Sequence, residues 1–177
     1  MSSWRPETAW PIALSDGELM QIGFIAQCDE LARQTSLACL KAVKGWDSNE
    51  WVASQKLKFF DITKQLQKDT KSYSELTEAV SELEAERIKS QDLRNRYVHS
   101  VWGGNSELGR PNSYDYRHLV HSIPQDIEKA VEAGAQLTIL ARKCLESVAD
   151  LICDSKLAPG TEGVGMEMFW RGRFIKF

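Results

Sequence analysis

Apolar and small residues recur at helical spacing over most of the chain. Ser15 and Glu18 form a capping-box pattern. Phe24, Cys28, Leu31, Thr35, Ala38 and Ala42 then trace one face, and Gly45 is a stop signal. The stretch WDSNEW is a connector, with Asp47, Ser48 or Asn49 available to cap the next helix. The run EWVASQKLKFFDITKQLQK predicts a second helix, in which Val52, Phe59 and Leu66 fall seven apart and Leu57 and Phe60 widen the stripe. Ser72 with Glu75 repeats the capping box, and the third helix then meets no breaker before Gly103. Residues 103–118, GGNSELGRPNSYDYRH, read as a loop. Ser122, Pro124 and Gln125 open a fourth long helix, whose face is Ile127, Val131, Gly134, Leu137, Ala141, Cys144, Val148 and Leu151. The final MEMFWRGRFIKF alternates, with Arg171-Gly172 as a turn, and predicts a small hairpin or a tail lying on the helices.

Helices with apolar stripes, short connections and little strand signal predict an all-α, antiparallel four- or five-helix bundle with a short C-terminal hairpin or tail. The 177 residues suffice for a single domain, with a core over 15–155 and a C-terminal tail over 156–177. No internal repeat is visible.

The third helix departs from a simple amphipathic pattern. Its inward line runs Leu76, Ala79, Val80, Leu83, Arg87, Ser90, Arg94, Val98 and Val101, apolar at both ends and polar between. A buried arginine costs several kcal/mol unless it is paired or wet. This half of the helix is therefore expected to face a cleft or a subunit interface. His99 lies about 140° round from Arg94, near Asn95 and Trp102. The order of charge, acidic from Glu75 to Glu86 and basic from Arg87 to His99, suits the helix dipole and carries no functional weight alone.

Composition narrows the options. Net charge is −3, so the whole molecule is no electrostatic glove for nucleic acid, and a polyanion would need a local basic patch. No apolar run reaches the roughly 20 residues of a membrane span, and the first residues lack the pattern of a signal peptide. The expectation is a cytoplasmic protein without membrane contact. Cys28, Cys39, Cys144 and Cys153 form no CxxC pair and have no histidine at zinc-finger spacing, which favours buried reduced thiols.

The stretch RNRYVH, residues 94–99, matches an R-N-x-x-x-H signature at the end of a long third helix and is followed by VWGG. In this motif and in the helices around it, residues 15–155 resemble the HEPN superfamily, the higher-eukaryote and prokaryote nucleotide-binding domains. The resemblance implies a helical bundle that forms a homodimer through the motif-bearing face. It also implies a metal-independent endoribonuclease, with Arg94 and His99 of each protomer meeting in a composite site and Asn95 in the polar position after the arginine. No cofactor and no metal are implied; RNA is the partner, and products end in 2′,3′-cyclic phosphate. Toxin or antiviral defence roles are common among such proteins, and with them an antitoxin or regulatory protein as a partner. The residue types suit the chemistry: histidine moves protons near neutral pH, and the arginine fork holds a phosphate and offsets charge developing on it. Arg96, Tyr97 and Trp102 flank the motif as RNA-binding candidates, with packing as the alternative role of the two aromatics. The alternatives are a catalytically silent HEPN-like module for RNA binding, nucleotide binding or dimerisation, and a purely structural bundle with Arg94 and His99 apart and exposed.

Other patterns carry less. GTEGVG has neither a preceding strand nor a Lys-Ser/Thr pair, which argues against a phosphate loop. His118 and His121 beside Asp115 lack a fourth ligand for a metal site. Arg110, Arg117, Arg171 and Arg173 are candidates for an outer basic rim.

Overall fold

A computed structural model describes residues 15–98, 127–159 and 166–177, together with the backbone pairing of 101–105 with 110–114. Five helices run α1 (Asp16–Lys44), α2 (Ser48–Ser54), α3 (Phe59–Asp69), α4 (Ser74–Val98) and α5 (Ile127–Cys153). Two hairpins accompany them: β1 (Val101–Asn105) with β2 (Arg110–Tyr114), and β3 (Glu167–Trp170) with β4 (Arg173–Lys176). The described residues form a mostly helical bundle with a C-terminal hairpin, as the sequence predicts, and the hairpin of β1 and β2 is an addition to it. No helix among the described residues is long and apolar enough to cross a membrane.

Capping chemistry sets the first boundaries. The Ser15 hydroxyl accepts from the Glu18 N–H while the Glu18 carboxylate accepts from the Ser15 N–H, and Gly45 ends α1 at φ 64° in the left-handed region. Asp47 caps α2 in the same reciprocal way with Glu50.

The single second helix expected over 50–68 is instead two. Neither proline nor glycine marks the break, and its cause lies on another element. Arg33 of α1 donates from Nη1 to the carbonyls of Gln55 and Leu57, at 3.3 and 3.2 Å, taking up acceptors that a continuous helix would satisfy itself. The break turns the chain round. Trp51 lies beside Lys41 and Gln55 beside Arg33, so α2 runs back along α1; Lys44 then pairs with Asp69, so α3 runs forward again. Consecutive helices thus alternate in direction, and α1 and α5, first and last, come out parallel. They pack tightly at Gly134, where an added Cβ would stand 3.2 Å from that of Cys28.

The main core joins all the long helices through Leu37, Leu40, Ile62, Leu66, Leu83, Leu137, Ala141 and Val148. From Thr35 to Ala42 every residue of α1 is buried, because α3, α5 and the C-terminal hairpin surround it. Its first half is turned differently from expectation: Ile25, Cys28 and Ala32 face inward, while Phe24 and Leu31 are exposed. Val52 and Phe60, placed on the second helix's stripe, are exposed for the same reason that this helix is broken. On α5 the expected face is buried, with Val131 and Leu151 at its margins. Cys28, Cys39 and Cys144 are buried and Cys153 half-buried, all as free thiols. Burial pushes the Cys144 thiol up to about 12 and holds Cys39 well above the ordinary range, so both stay protonated.

The third helix was expected to reach Gly103, with a loop after it. Its described span instead ends at Val98, and VWGGN pairs antiparallel with RPNSY, Trp102 opposite Ser113. Val101 and Trp102 favour extended backbone and Gly103-Gly104 disfavour helix. At its start, the helix opens at Ser74, with the Thr77 hydroxyl donating to the carbonyls of Thr70 and Tyr73. The Ser122-Pro124-Gln125 signal, GTEGVG, and Asp115, His118 and His121 lie outside the described residues.

The C-terminal hairpin turns where expected. Arg171 and Gly172 both have positive φ, 45° and 81°, as a two-residue hairpin turn of matching twist requires. It is part of the fold, not a loose tail: Ile175 and Phe177 belong to the main core, and the Lys41 ammonium, itself buried, donates to the Phe177 carbonyl at 2.8 Å.

Candidate functional site

The polar middle of the α4 stripe is real, and two different devices accommodate it. The first is an internal ion pair. Arg87 is 6% exposed and grips Glu84 with two parallel bonds, Nε to Oε2 at 2.6 Å and Nη2 to Oε1 at 2.8 Å. Its Nη1 donates to Gln91 Oε1 at 3.0 Å, and its guanidinium lies over the Phe60 ring, 5.1 Å from the centroid. Burial pushes the Glu84 carboxyl up, but the Arg87 bonds and the Arg87 and Lys64 charges outweigh it and hold the group below its ordinary value.

The second device is a cleft. Arg94, one turn short of the helix's described end, is only partly buried. It lines a cavity of about 310 Å³ between α1, α3 and α4, together with Asp29, Glu30, Arg33, Lys58, Phe60, Arg87 and Gln91. On its other side a crevice of about 10 Å³, enough for one water, lies against Ser90, Ala130 and Gly134. The Arg94 Nε stands 3.3 Å from the Asp29 carboxylate, and its Nη1 donates to Asn95 Oδ1 at 3.1 Å.

Helix α1 supplies the facing wall because Asp29, Glu30 and Arg33 share one side of it at helical spacing. Arg33 binds Glu30 through Nε and Nη2 at 2.8 and 2.7 Å. Those hydrogen bonds, with smaller help from Gln34 and the Arg33 and Arg94 charges, hold the Glu30 carboxyl below its usual range. The third wall is the start of α3, where Lys58 occupies the N-cap and makes no side-chain cap bond.

Of the residues singled out in the sequence, Arg94 and Asn95 are brought together directly, and Arg96 is half-buried beside them. Tyr97 is 1% exposed and packs with Ile25, Ile127 and Ala130 in a second, smaller core. It is therefore a packing residue and presents no face for a base; α1 and α5 converge on the end of α4 and cover it. Trp102 is placed in β1 by its backbone. His99 lies outside the described residues, and so does Arg117.

Of the four candidates for an outer basic rim, the two with described side chains, Arg171 and Arg173, lie away from Arg94. Arg171 pairs with Asp150 and Asp154, and Arg173 donates to the Cys153 carbonyl at 2.7 Å. Those partners end α5, whereas Arg94 lies at the level of Ala130 and Gly134, so the two regions are roughly 25 Å apart along the helix. Sequence reasoning missed Arg33 and Lys58. Each looks like an ordinary surface charge until α3 folds back against α1. Arg87 did carry a signal, since it interrupts the apolar line of its own helix.

No family model, no curated protein and no solved structure matches the chain.

Proposed function

We propose that the protein is a metal-independent endoribonuclease of the HEPN type, acting as a homodimer in toxin or antiviral defence, with Arg94 and His99 as its reacting pair. One observation carries this reading: Arg94, on the inward line of α4, opens onto a cleft with three further cationic side chains instead of ending in dry core. In the proposed step His99 takes the proton from a ribose 2′-hydroxyl. The 2′-oxygen attacks the adjacent phosphorus, the bond from phosphorus to the 5′-oxygen breaks, and a proton is returned to that oxygen. Arg94 holds the phosphate and offsets its growing charge. The products are a 2′,3′-cyclic phosphate and a 5′-hydroxyl. Asn95, bonded to Arg94, positions the guanidinium.

A second reading is a catalytically silent binding module. It is favoured by the engagement of Arg94 with Asp29 and Asn95, which a phosphate would have to displace or share.

An RNA cleavage assay decides between them, run with EDTA present and with sedimentation to establish the dimer. Wild type is expected to cleave, and His99→Ala to retain fold and RNA binding while losing about 10²-fold or more of the rate. Arg94→Ala is expected to lose both rate and affinity. Equal cleavage by wild type and His99→Ala, at equal circular dichroism, would remove the catalytic assignment, and no cleavage by wild type would leave the binding module.

A further inference from the structure

We propose that the cleft between α1, α3 and α4 is a second phosphate subsite for the same RNA strand, with Lys58 and Arg87 as its ligands. The identity of the strand rests on the endoribonuclease reading above; the geometry of the cleft does not. Its volume of about 310 Å³ lies at the lower end of what small-ligand sites occupy. Arg87 and Arg94 are two turns apart on one face of α4, about 10 Å along the axis. A phosphate held at Arg94 therefore leaves Arg87 free to meet a neighbouring one.

Arg87 is prepared for that role. Glu84 and the Phe60 ring fix its plane, so little side-chain freedom remains to be lost on binding. Glu84 takes Nε and one hydrogen of Nη2, and Gln91 takes one hydrogen of Nη1. One N–H on each terminal nitrogen has no partner among the described residues.

The charge balance singles out Lys58. Arg33 is matched by Glu30, Arg94 faces Asp29, and Arg87 is matched by Glu84. Among the described residues the Lys58 ammonium has no hydrogen bond or ion pair, and among those that line the cleft it is the cation with no carboxylate partner. Lys58 also begins α3 without a side-chain cap, so the positive end of that helix adds to its field.

The test uses Lys58→Ser, because the two roles of the position predict opposite outcomes. A serine at an N-cap bonds the first turn and stabilises the helix, yet it removes the charge and occupies the free N–H groups. Binding of a short, fully 2′-O-methylated single-stranded RNA is measured by fluorescence anisotropy across a salt series, with the nucleophilic hydroxyl blocked so that no cleavage intervenes. The expected result is a raised melting temperature together with weaker RNA binding, and a log–log salt slope shallower by about 1. Lys58→Gln, which adds no cap, is expected to show the same loss of affinity and slope. Wild-type affinity and slope in both variants would overturn the subsite, as would failure of the wild type to bind this RNA. Unmodified RNA is assayed for cleavage in parallel. Binding that both Lys58 variants weaken, without cleavage, overturns the catalytic reading and supports the subsite; cleavage with both Lys58 variants unchanged overturns the subsite alone.

Discussion

Glu84 and Arg87 show how a charged residue survives on the inward side of a helix. Each alone would be costly at that depth; held by two short bonds, they satisfy each other. Arg87→Met is expected to cost about 3–5 kcal/mol in urea unfolding, because it leaves Glu84 buried without its partner. Converting both, Glu84→Leu with Arg87→Met, is expected to recover most of that loss. The pH dependence comes from the lowered Glu84 carboxyl. A carboxyl whose folded value lies below its ordinary 4.5 contributes stability above that pH and loses it as pH falls through the folded value. Wild type should therefore lose more stability below about pH 4.5 than the double variant does. Equal acid sensitivity in the two would show that the pair contributes nothing.

At the scale of elements, Arg33 governs the shape of the cleft, since its guanidinium holds the carbonyls of Gln55 and Leu57 and so keeps α2 and α3 apart. Its pairing with Glu30 counts for little, because Glu30 is mostly in water and exposed ion pairs contribute about 0–1 kcal/mol. The two carbonyl bonds decide the outcome. Arg33→Ala is expected to lower stability by about 1–3 kcal/mol, whereas Glu30→Gln should change it by less than about 1 kcal/mol. Denaturant titration of both checks this, and equal losses would mean that the ion pair, not the helix break, is what Arg33 serves. A weakened break also matters for the site, because it is the turn into α3 that brings Lys58 to the cleft.

For the molecule as a whole, the C-terminal hairpin acts as a lid on the main core. Phe177 is fully buried, and the bundle around α1 is complete only with it and Ile175 in place. Phe177→Ala is expected to cost about 3–5 kcal/mol, read as a lower urea midpoint with an unchanged slope. A loosely attached tail would instead show a change below about 1 kcal/mol. The hairpin lies at the end of the bundle remote from Arg94, so this loss should fall on stability and leave the cleft around Arg94 in the folded protein unchanged.

The caps at Ser15 and Asp47, the stop at Gly45, the face of α5 and the Arg171-Gly172 turn could all be read from the chain, because each depends on residues within a few positions of one another. So could the polar interruption at Arg87 and Arg94, since helical spacing alone places them on the line of Leu76 and Leu83. The break between α2 and α3 could not, because the atoms that favour it belong to Arg33, more than 20 positions away. The same holds for the burial of Tyr97, which depends on α1 and α5 converging on the end of α4. It holds also for the cleft, in which Asp29, Lys58 and Arg94 meet only after the chain has reversed at α2, α3 and α4. Local spacing settled which side chains belong to one helix face. Which faces meet, and so whether an arginine ends in core, in an ion pair or at a cleft, was settled by packing between distant segments.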